Sequence, residues 1–474
     1  MVDIVLIHPA ADVYQELGEL TAVEPPLWTR MIAGWLRDNH FDVSIIDQEA
    51  DGLSNEQVAS IVYESKARLA ALIVEGHQPS AATQQMTGIN ALVESLHGVK
   101  TIIVGNHASA LPERTLREEH VDYVCDGEGP LTLAGLLGGM ALNKIPGLVW
   151  RDDGNDTNCN PAAPLISIDE LHGDVWDLLP MNKYRAHTWQ CLDGSSRQPY
   201  ASIYTTLGCP FKCSFCMINV FQHANTYRRR TPSKVVEQIE TLYRKYGVKT
   251  FKIADEMFVL DPSHYIPICE GLAKLHFANE LNIWAYARID TVRPETLNIM
   301  RRAGIRWLAL GIESGSSHVR EESRKYLEDK NIRNIVSAIQ DSGINVIGNF
   351  IFGLPDDTKE SMRETLELAK SLELDFANFY SAMAYPGSKL FDNAKPEDLP
   401  DCWIGYSQHS FECKPLPTDT LSSADVLGFR DRAFSEYYSD QNYLSRITDK
   451  FGVAAANDIK GMAVKNLPRK ILAA

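Results

Sequence analysis

The sequence lacks long hydrophobic runs, low-complexity tracts and internal repeats. No stretch reaches the roughly 18 unbroken apolar residues that a membrane-spanning helix needs. The first apolar run, residues 4–7, ends at His8-Pro9 and has neither the charged start nor the long apolar core of a secretory signal. Basic residues are also in deficit: the formal net charge of −16 argues against nucleic acid or an anionic membrane as a partner. These absences predict a soluble, cytoplasmic protein without a membrane span.

The number and placement of the cysteines argue against a disulfide framework. The 474-residue chain has nine, and three of them, Cys209, Cys213 and Cys216, fall within eight positions. The hydrophobic content of 45% is enough to build full-sized cores without cross-links. In a long chain of this kind, such a cluster indicates a metal or catalytic site.

From residue 1 to about 140, short apolar runs alternate with helical patterns. We expect strands at 4–7, 43–46, 72–75, 101–104 and 121–124, and helices such as 29–38 and 82–96. Continuous apolar strands separated by helices predict a parallel sheet covered on both faces, of the Rossmann-like or flavodoxin-like kind. Ligands of such α/β sheets bind at the carboxyl ends of the strands.

A second alternation of strands and helices follows an irregular segment. Residues 141–199 are interpreted as a linker with a small hairpin, and residues 388–474 as a mostly helical C-terminal domain. Between them, we expect strands at 201–205, 250–254, 282–287, 307–311, 346–352 and 376–382. Six such units over residues 200–387 predict a partial (β/α)6 barrel, with functional loops after the strands.

The three clustered cysteines follow the first expected barrel strand with the spacing Cys-x3-Cys-x2-Cys. Cysteine thiolates hold iron–sulfur clusters, usually four at a time, so three thiolates leave one iron open. A structural zinc site with His223 as the fourth ligand is the alternative, since zinc tolerates these spacings. The position at the end of a barrel strand favours the iron–sulfur cluster.

From these residues, the sequence resembles the radical S-adenosylmethionine (SAM) superfamily over about residues 200–390. The resemblance implies a [4Fe–4S] cluster on Cys209, Cys213 and Cys216, whose open iron chelates SAM. The strand ends match the superfamily's SAM-contact positions in chain order. The implied SAM contacts are Phe215, Asp255, Glu256, Arg288, Gly311, Glu313, Ser314 and Gly353. Asp255-Glu256 stands where the superfamily commonly has Gly-Gly-Glu, which leaves two candidate carboxylates for the SAM ammonium.

A Rossmann-like domain before such a barrel resembles the subclass that binds cobalamin (B12). The corrinoid then lies on the strand ends of that domain. The implied cobalamin contacts are His8, Pro9, Gly76, His77, Ser80, Gly105, Asn106, His107, Gly127 and Gly129. The sequence has no Asp-x-His-x-x-Gly loop, which supplies a lower axial histidine in cobalamin mutases.

The resemblance implies a methyltransferase that acts on an unactivated carbon of a small molecule. One SAM methylates the corrinoid, a second yields a 5′-deoxyadenosyl radical, and methylcobalamin delivers the methyl group. A flavodoxin or ferredoxin is the implied electron donor. Two alternatives stay open: a radical SAM cyclase or rearrangement enzyme without methyl transfer, and a non-enzyme, either a corrinoid carrier or an iron–sulfur sensor.

Overall fold

The computed structural model describes residues 2–10, 18–76, 82–325 and 327–473, and its first layer is a seven-stranded sheet. The strands are β1 (Ile4–His8), β2 (Val43–Asp47), β3 (Leu69–Ile73), β4 (Lys100–Val104), β5 (Tyr123–Cys125), β6 (Leu148–Arg151) and β7 (Thr157–Cys159). Their order is β2-β1-β3-β4-β5-β6-β7. The first five strands run parallel in the flavodoxin-like order, as the sequence predicts. The hairpin β6–β7 pairs antiparallel with β5 and extends the same sheet.

Within the described residues, seven helices cover this sheet, whose strands are apolar on both faces. They are α1 (Leu27–Asp38), α2 (Gln48–Asp51), α3 (Asn55–Ser65), α4 (Ile89–Ser95), α5 (Asn106–Ala110), α6 (Pro112–Glu118) and α7 (Pro130–Leu137). The helix expected over 82–96 is shorter than predicted: a single 3-10 turn precedes α4. Gly88 separates the two with a φ of +82°, which a continuous right-handed helix does not allow.

The second layer is a six-stranded, all-parallel sheet that forms the partial barrel. Its strands are β8 (Tyr200–Ile203), β11 (Thr250–Ile253), β12 (Asn282–Arg288), β13 (Ile305–Glu313), β14 (Asn345–Phe352) and β15 (Phe376–Ser381). They lie in the order β15-β14-β13-β12-β11-β8. A two-stranded ribbon, β9 (Thr206–Leu207) with β10 (Arg228–Arg229), closes the base of the loop that carries the clustered cysteines.

Helices cover the outside of the barrel and its β15 edge. They are α8 (Pro232–Tyr246), α9 (Pro262–Ala273), α10 (Leu297–Arg302), α11 (Ser317–Glu322), α12 (Asp329–Asp341), α13 (Lys359–Ser371), α14 (Lys389–Asn393), α15 (Ser423–Tyr438), α16 (Gln441–Phe451) and α17 (Val453–Ala463). The Tyr438 hydroxyl of α15 donates to the carbonyl of Ala377 at 2.5 Å and accepts from its amide at 3.0 Å. This side chain therefore satisfies backbone groups on an edge strand that would otherwise be open to pairing.

Two arginines, Arg30 and Arg228, join the first domain to the barrel. Arg30 of α1 donates to the carbonyls of Gly173 (2.7 Å) and Ser202 (2.6 Å) and stacks 3.6 Å from the Trp176 ring centroid. Arg228 of β10 pairs with Glu128, which follows β5. These contacts set the carboxyl end of the first sheet against the barrel. Of the helices formed by the described residues, none combines the length and hydropathy that a bilayer crossing requires.

Candidate active site

The cysteine loop is held in shape by its own backbone and by Asn219. Gly208 has a φ of +84°, and a Cβ there would lie 2.5 Å from the carbonyl oxygen of Thr226. Asn219 accepts from the Cys209 amide (3.1 Å) and donates to the Cys209 carbonyl (2.7 Å). The Cys216 amide donates to the Cys213 carbonyl at 3.2 Å. The loop is therefore fixed through its backbone, which leaves the three sulfurs available as ligands.

The three cysteines line one cavity of about 280 Å³ at the carboxyl ends of the barrel strands. Burial raises the pKa of the Cys209 thiol to about 11 and the pKa of the Cys216 thiol further still. Cys216 is nevertheless accessible to solvent, because its side chain faces this cavity. Thiols in this environment are neutral until a metal displaces their protons.

The donor set fits an iron–sulfur cluster with one open iron. No fourth cysteine lines the cavity within the described residues, and among those residues no three His, Cys, Asp or Glu side chains are arranged as ligands of a single metal ion. His223, the fourth ligand of the zinc alternative, points to the first domain instead: its Nε2 lies 2.9 Å from Asp126 Oδ1.

Two cations lie beside Cys213. Arg288 Nη1 lies 3.9 Å from the Cys213 sulfur, and its guanidinium pairs with Asp290 and stacks 3.9 Å from the Phe211 ring centroid. Lys325, 3% exposed, forms an ion pair with Glu313 in the cavity wall. Burial raises the pKa of the Cys213 thiol, and these two positive charges oppose that rise.

Gly311 makes room for the Lys325–Glu313 pair. A Cβ at Gly311 would lie 2.5 Å from Lys325 Nζ and 2.6 Å from Glu313 Oε1. Glu313 itself has a φ of +69°, a strained backbone conformation for a residue with a side chain. The end of β13 is therefore shaped around this ion pair.

The structure brings five of the eight predicted SAM contacts to the cavity. Its wall includes Phe215, Glu256, Arg288, Gly311 and Glu313.

The other three predicted contacts, Asp255, Ser314 and Gly353, lie outside the cavity lining. Ser314 Oγ lies 3.2 Å from Thr365 Oγ1, and a Cβ at Gly353 would lie 2.4 Å from Val426 Cγ1. Ser314 therefore packs against α13, and Gly353 packs against α15.

Asp255 and Glu256 differ in what they face. Asp255 is fully buried and accepts from the Thr205 amide at 2.6 Å and from the Thr205 hydroxyl. Glu256 lines the cavity, and burial raises its pKa to about 8, opposed by Lys252. A ligand in the cavity therefore meets Glu256, while Asp255 secures the start of the cysteine loop.

Two of the predicted cobalamin contacts, His77 and Ser80, lie outside the described residues; the others are at the carboxyl edge of the first sheet. They are His8, Pro9, Gly76, Gly105, Asn106, His107, Gly127 and Gly129.

Asn106 connects this edge to the barrel. Its side chain donates to Glu75 Oε1 (2.7 Å), its amide donates to Glu75 Oε2 (2.8 Å), and Asn106 Oδ1 accepts from the Phe221 amide (3.4 Å). The predicted corrinoid edge therefore adjoins the segment that follows the third cysteine.

The structure gives His107 a packing role. The side chain is fully buried, with its ring centroid 4.5 Å from that of Trp403 in an edge-on contact. Nδ1 lies 3.3 Å from Thr83 Oγ1, and burial lowers the pKa of His107 to about 3. His107 is therefore a neutral side chain that anchors the C-terminal region on the first domain.

A second cavity, of about 330 Å³, lies between the carboxyl edge of the first sheet and the barrel interior. We call it the chamber. Its wall shares five residues with the cysteine cavity: Tyr286, Asn349, Tyr380, Tyr385 and Gln408. The two cavities therefore meet at this ring of polar side chains, inside the barrel.

The first domain contributes a buried, unsatisfied amide to the chamber. Gln85 is 4% exposed and lines the chamber, and its Oε1 has no hydrogen-bond partner in the described part of the chain. A corrinoid carries amide side chains whose N–H groups match such an acceptor. Gln85 Oε1 is therefore suited to accept a hydrogen bond from a corrinoid amide at this edge.

Sequence patterns did not single out several of these residues. Lys252 and Glu24 form a buried ion pair in the chamber wall, and Lys325 pairs with Glu313. Gly311-Ile312-Glu313 marks a strand end in the sequence, but no local pattern identifies Lys325, which is 12 residues from its partner.

Two family models match the sequence in this order. The B12 binding domain matches residues 17–137, and the radical SAM superfamily matches residues 203–369. An uncharacterized methyltransferase of Pyrococcus horikoshii is 31% identical over 386 residues, which cover 79% of this chain and 79% of the relative. The chain belongs to the radical SAM superfamily. It is a member of the subclass with a B12-binding domain, as the N-terminal Rossmann-like domain predicts, and it is an enzyme, as the cysteine and strand-end motifs predict.

Other similarities agree with the fold. An anaerobic magnesium-protoporphyrin IX monomethyl ester cyclase of Cereibacter sphaeroides is 25% identical over 437 residues, covering 90% of this chain and 68% of the relative. The methyltransferase TsrM of Kitasatospora setae, solved with cobalamin and a [4Fe–4S] cluster, superimposes with a TM-score of 0.67 at 17% identity. That match covers 93% of this radical SAM enzyme and 90% of TsrM.

Proposed function

We propose that this enzyme is a cobalamin-dependent radical SAM methyltransferase that methylates an unactivated carbon of a small molecule. The proposal rests on one observation: the cysteine cavity and the chamber adjoin and share five lining residues. One holds three cysteine ligands, and the other runs from the barrel interior to the carboxyl edge of the B12-binding domain. A substrate in the chamber lies next to the cysteine cavity and against residues of the first domain, among them Gln84 and Gln85.

In this proposal, Cys209, Cys213 and Cys216 hold a [4Fe–4S] cluster. When bound, the cluster with SAM supplies a 5′-deoxyadenosyl radical, and cobalamin supplies the methyl group. Arg288, beside the Cys213 sulfur, offsets the negative charge of the thiolates. Glu256 faces the cavity, so we assign it, and not Asp255, to the SAM ammonium.

The chain also supplies the surroundings that radical chemistry needs. The cavity walls place the cluster region inside the barrel. Asn378 donates to Asn349 at 2.9 Å, and Gln408 exchanges hydrogen bonds of 2.9 Å with the backbone of Ser381. These hydrogen bonds fix the side chains of Asn349 and Gln408, which lie where the two cavities adjoin. We propose that a flavodoxin or ferredoxin donates the single electron that the cluster needs to cleave SAM.

Two relatives support different outcomes of the same chemistry. The Pyrococcus horikoshii relative is named a methyltransferase, which supports methyl transfer. The Cereibacter sphaeroides relative is named a cyclase and matches 90% of this chain, which makes ring formation without methyl transfer the second candidate.

An anaerobic product assay tests the proposal. Purified protein, reconstituted with iron and sulfide, is incubated with SAM, titanium citrate and hydroxocobalamin, and the products are separated by chromatography. We expect 5′-deoxyadenosine, protein-bound corrinoid absorbance and S-adenosylhomocysteine from methylation of the corrinoid. The same mixture without reductant is the control and yields no 5′-deoxyadenosine.

Two results contradict the proposal in different ways. 5′-Deoxyadenosine without S-adenosylhomocysteine supports the cyclase or rearrangement function and removes methyl transfer. Failure to cleave SAM by protein with a full cluster removes the radical function altogether.

A further inference from the structure

The chamber has an aromatic body and one electropositive end. The Trp189 ring centroid lies 5.3 Å from that of Trp284 and 5.9 Å from that of Phe376, and all three side chains line the chamber. Phe379 and Phe434 extend the same wall. Aromatic walls of this kind favour a flat, largely apolar ligand.

At the α15 end of the chamber, two arginines share one carboxylate. Arg430 Nη1 donates to Asp431 Oδ1 at 2.8 Å, and Arg469 donates to the same carboxylate at 3.0 and 3.2 Å. Arg430 is 6% exposed and Arg469 is 4% exposed. Two guanidinium groups against one carboxylate leave an excess of one positive charge in a poorly hydrated place.

One hydrogen-bond donor of Arg430, the Nη2 group, is available to a ligand. Its Nε donates to the Phe379 carbonyl at 2.8 Å and its Nη1 donates to Asp431, whereas Nη2 donates to no group in the described part of the chain. Arg430 lines the chamber. His409, beside both arginines, adds no charge, because burial lowers its pKa to about 3.

The other charges in the chamber wall leave this end positive. Lys252 and Glu24 neutralise one another. Glu49 lines the wall from the first domain, and burial raises its pKa to about 7.

We propose that the chamber binds a planar, largely apolar substrate that carries a carboxylate, with the carboxylate on Arg430 and the apolar body against Trp189, Trp284 and Phe376. This inference deepens the proposed function by naming the substrate class. A carboxylate accepts the free Nη2 hydrogens and compensates the excess charge of Arg430 and Arg469.

A pair of probes of equal shape and different charge tests this assignment. Naphthoate carries a carboxylate, and naphthamide replaces it with a neutral amide. Binding of each to cluster-reconstituted, hydroxocobalamin-loaded protein is measured by quenching of tryptophan fluorescence and by calorimetry. We expect naphthoate to bind about tenfold more tightly than naphthamide, the factor that one additional charge-assisted hydrogen bond supplies.

Three variants test whether Arg430 causes the difference in affinity between naphthoate and naphthamide. Arg430→Gln removes the preference for naphthoate and leaves naphthamide binding unchanged. Arg430→Lys keeps the charge and retains a preference. Arg363→Gln, an exposed arginine that pairs with Glu436, is the matched control and behaves as the wild type.

The proposal is overturned if the two probes bind equally to the wild-type protein, or if Arg430→Gln keeps the preference. It is also overturned if naphthoate binds only in the absence of hydroxocobalamin, since the corrinoid then fills the chamber. The assay needs neither SAM nor reductant. Loss of methyl transfer with intact naphthoate binding therefore contradicts the proposed function alone, and the reverse result contradicts the substrate class alone.

Discussion

Lys252 Nζ lies 3.2 Å from each carboxylate oxygen of Glu24, and the two side chains are 1% and 3% exposed. Lys252 projects into the barrel from β11, while Glu24 belongs to the segment that precedes α1. The pair therefore ties the first domain to the barrel interior. Because both ions lose hydration, the pair holds the domains in register more than it adds net stability.

Removing one member of this pair is expected to destabilise the protein strongly. Lys252→Met leaves the Glu24 carboxylate in the interior without its ammonium partner, a change that costs about 3–5 kcal/mol. The double variant Lys252→Met with Glu24→Leu recovers most of the loss, because no buried charge remains. The measurement is the apparent free energy of unfolding in urea.

The exposed pair Lys183–Asp51 provides the control. Its side chains are 43% and 30% exposed, so Lys183→Met costs less than about 1 kcal/mol. Equal losses from Lys252→Met and Lys183→Met would show that the buried pair does not hold the domains together.

The sequence predicts the fold better than it predicts the site. Strand β1 is recognisable from four adjacent apolar residues, all fully buried. The stripe Ile332, Ile335, Val336 and Ile339 likewise identifies the buried face of α12. Such patterns are local, and the number of strands and their parallel order follow from them.

Ion pairs across the interior are not predictable in this way. Glu24 and Lys252 are 228 residues apart in the chain, and no spacing relates them. Adjacent residues of one strand-end motif also have different roles. Glu256 faces the cavity, whereas its neighbour Asp255 accepts hydrogen bonds from Thr205. Which of two adjacent residues faces a cavity depends on local backbone geometry that composition does not reveal.

The carboxyl of Glu75 is expected to make stability depend on pH. Burial raises its pKa to about 8, and Glu256 adds to the shift. Because the pKa is raised in the folded state, stability is highest below the ordinary pKa of glutamate and falls as pH rises through about 8. Glu75→Gln should therefore flatten the decline of the melting temperature between about pH 5 and about pH 9.

Melting temperatures of the metal-free protein across this pH range check the expectation. Glu64→Gln, an exposed side chain of α3, is the control and should leave the slope unchanged. A wild-type slope in the Glu75→Gln variant would mean that Glu75 does not titrate in this window.

Loss of one cysteine of the triad should remove the cluster without unfolding the chain. Cys213→Ala leaves two thiolates, and its site lies in a loop held through the backbone by Asn219. We expect little bound iron, no SAM cleavage and an unchanged far-UV circular dichroism spectrum. Cys402→Ala, an exposed cysteine outside the cavity, should retain both iron and activity. Normal 5′-deoxyadenosine production by Cys213→Ala would refute the ligand assignment.

Gly311→Ala should weaken SAM binding while it leaves the cluster in place. The new Cβ would meet Lys325 Nζ at 2.5 Å and Glu313 Oε1 at 2.6 Å, so the ion pair must move within the cavity. Displacement of binding groups by about 1 Å is costly, and we expect KM for SAM to rise roughly tenfold or more. Bound iron, measured colorimetrically, stays at the wild-type level because the cysteine loop is not touched. Gly461→Ala is the matched control: no atom lies within 4 Å of its Cβ position on α17, where alanine favours the helix. If Gly311→Ala and Gly461→Ala share the wild-type KM, the Lys325–Glu313 pair does not border the SAM site.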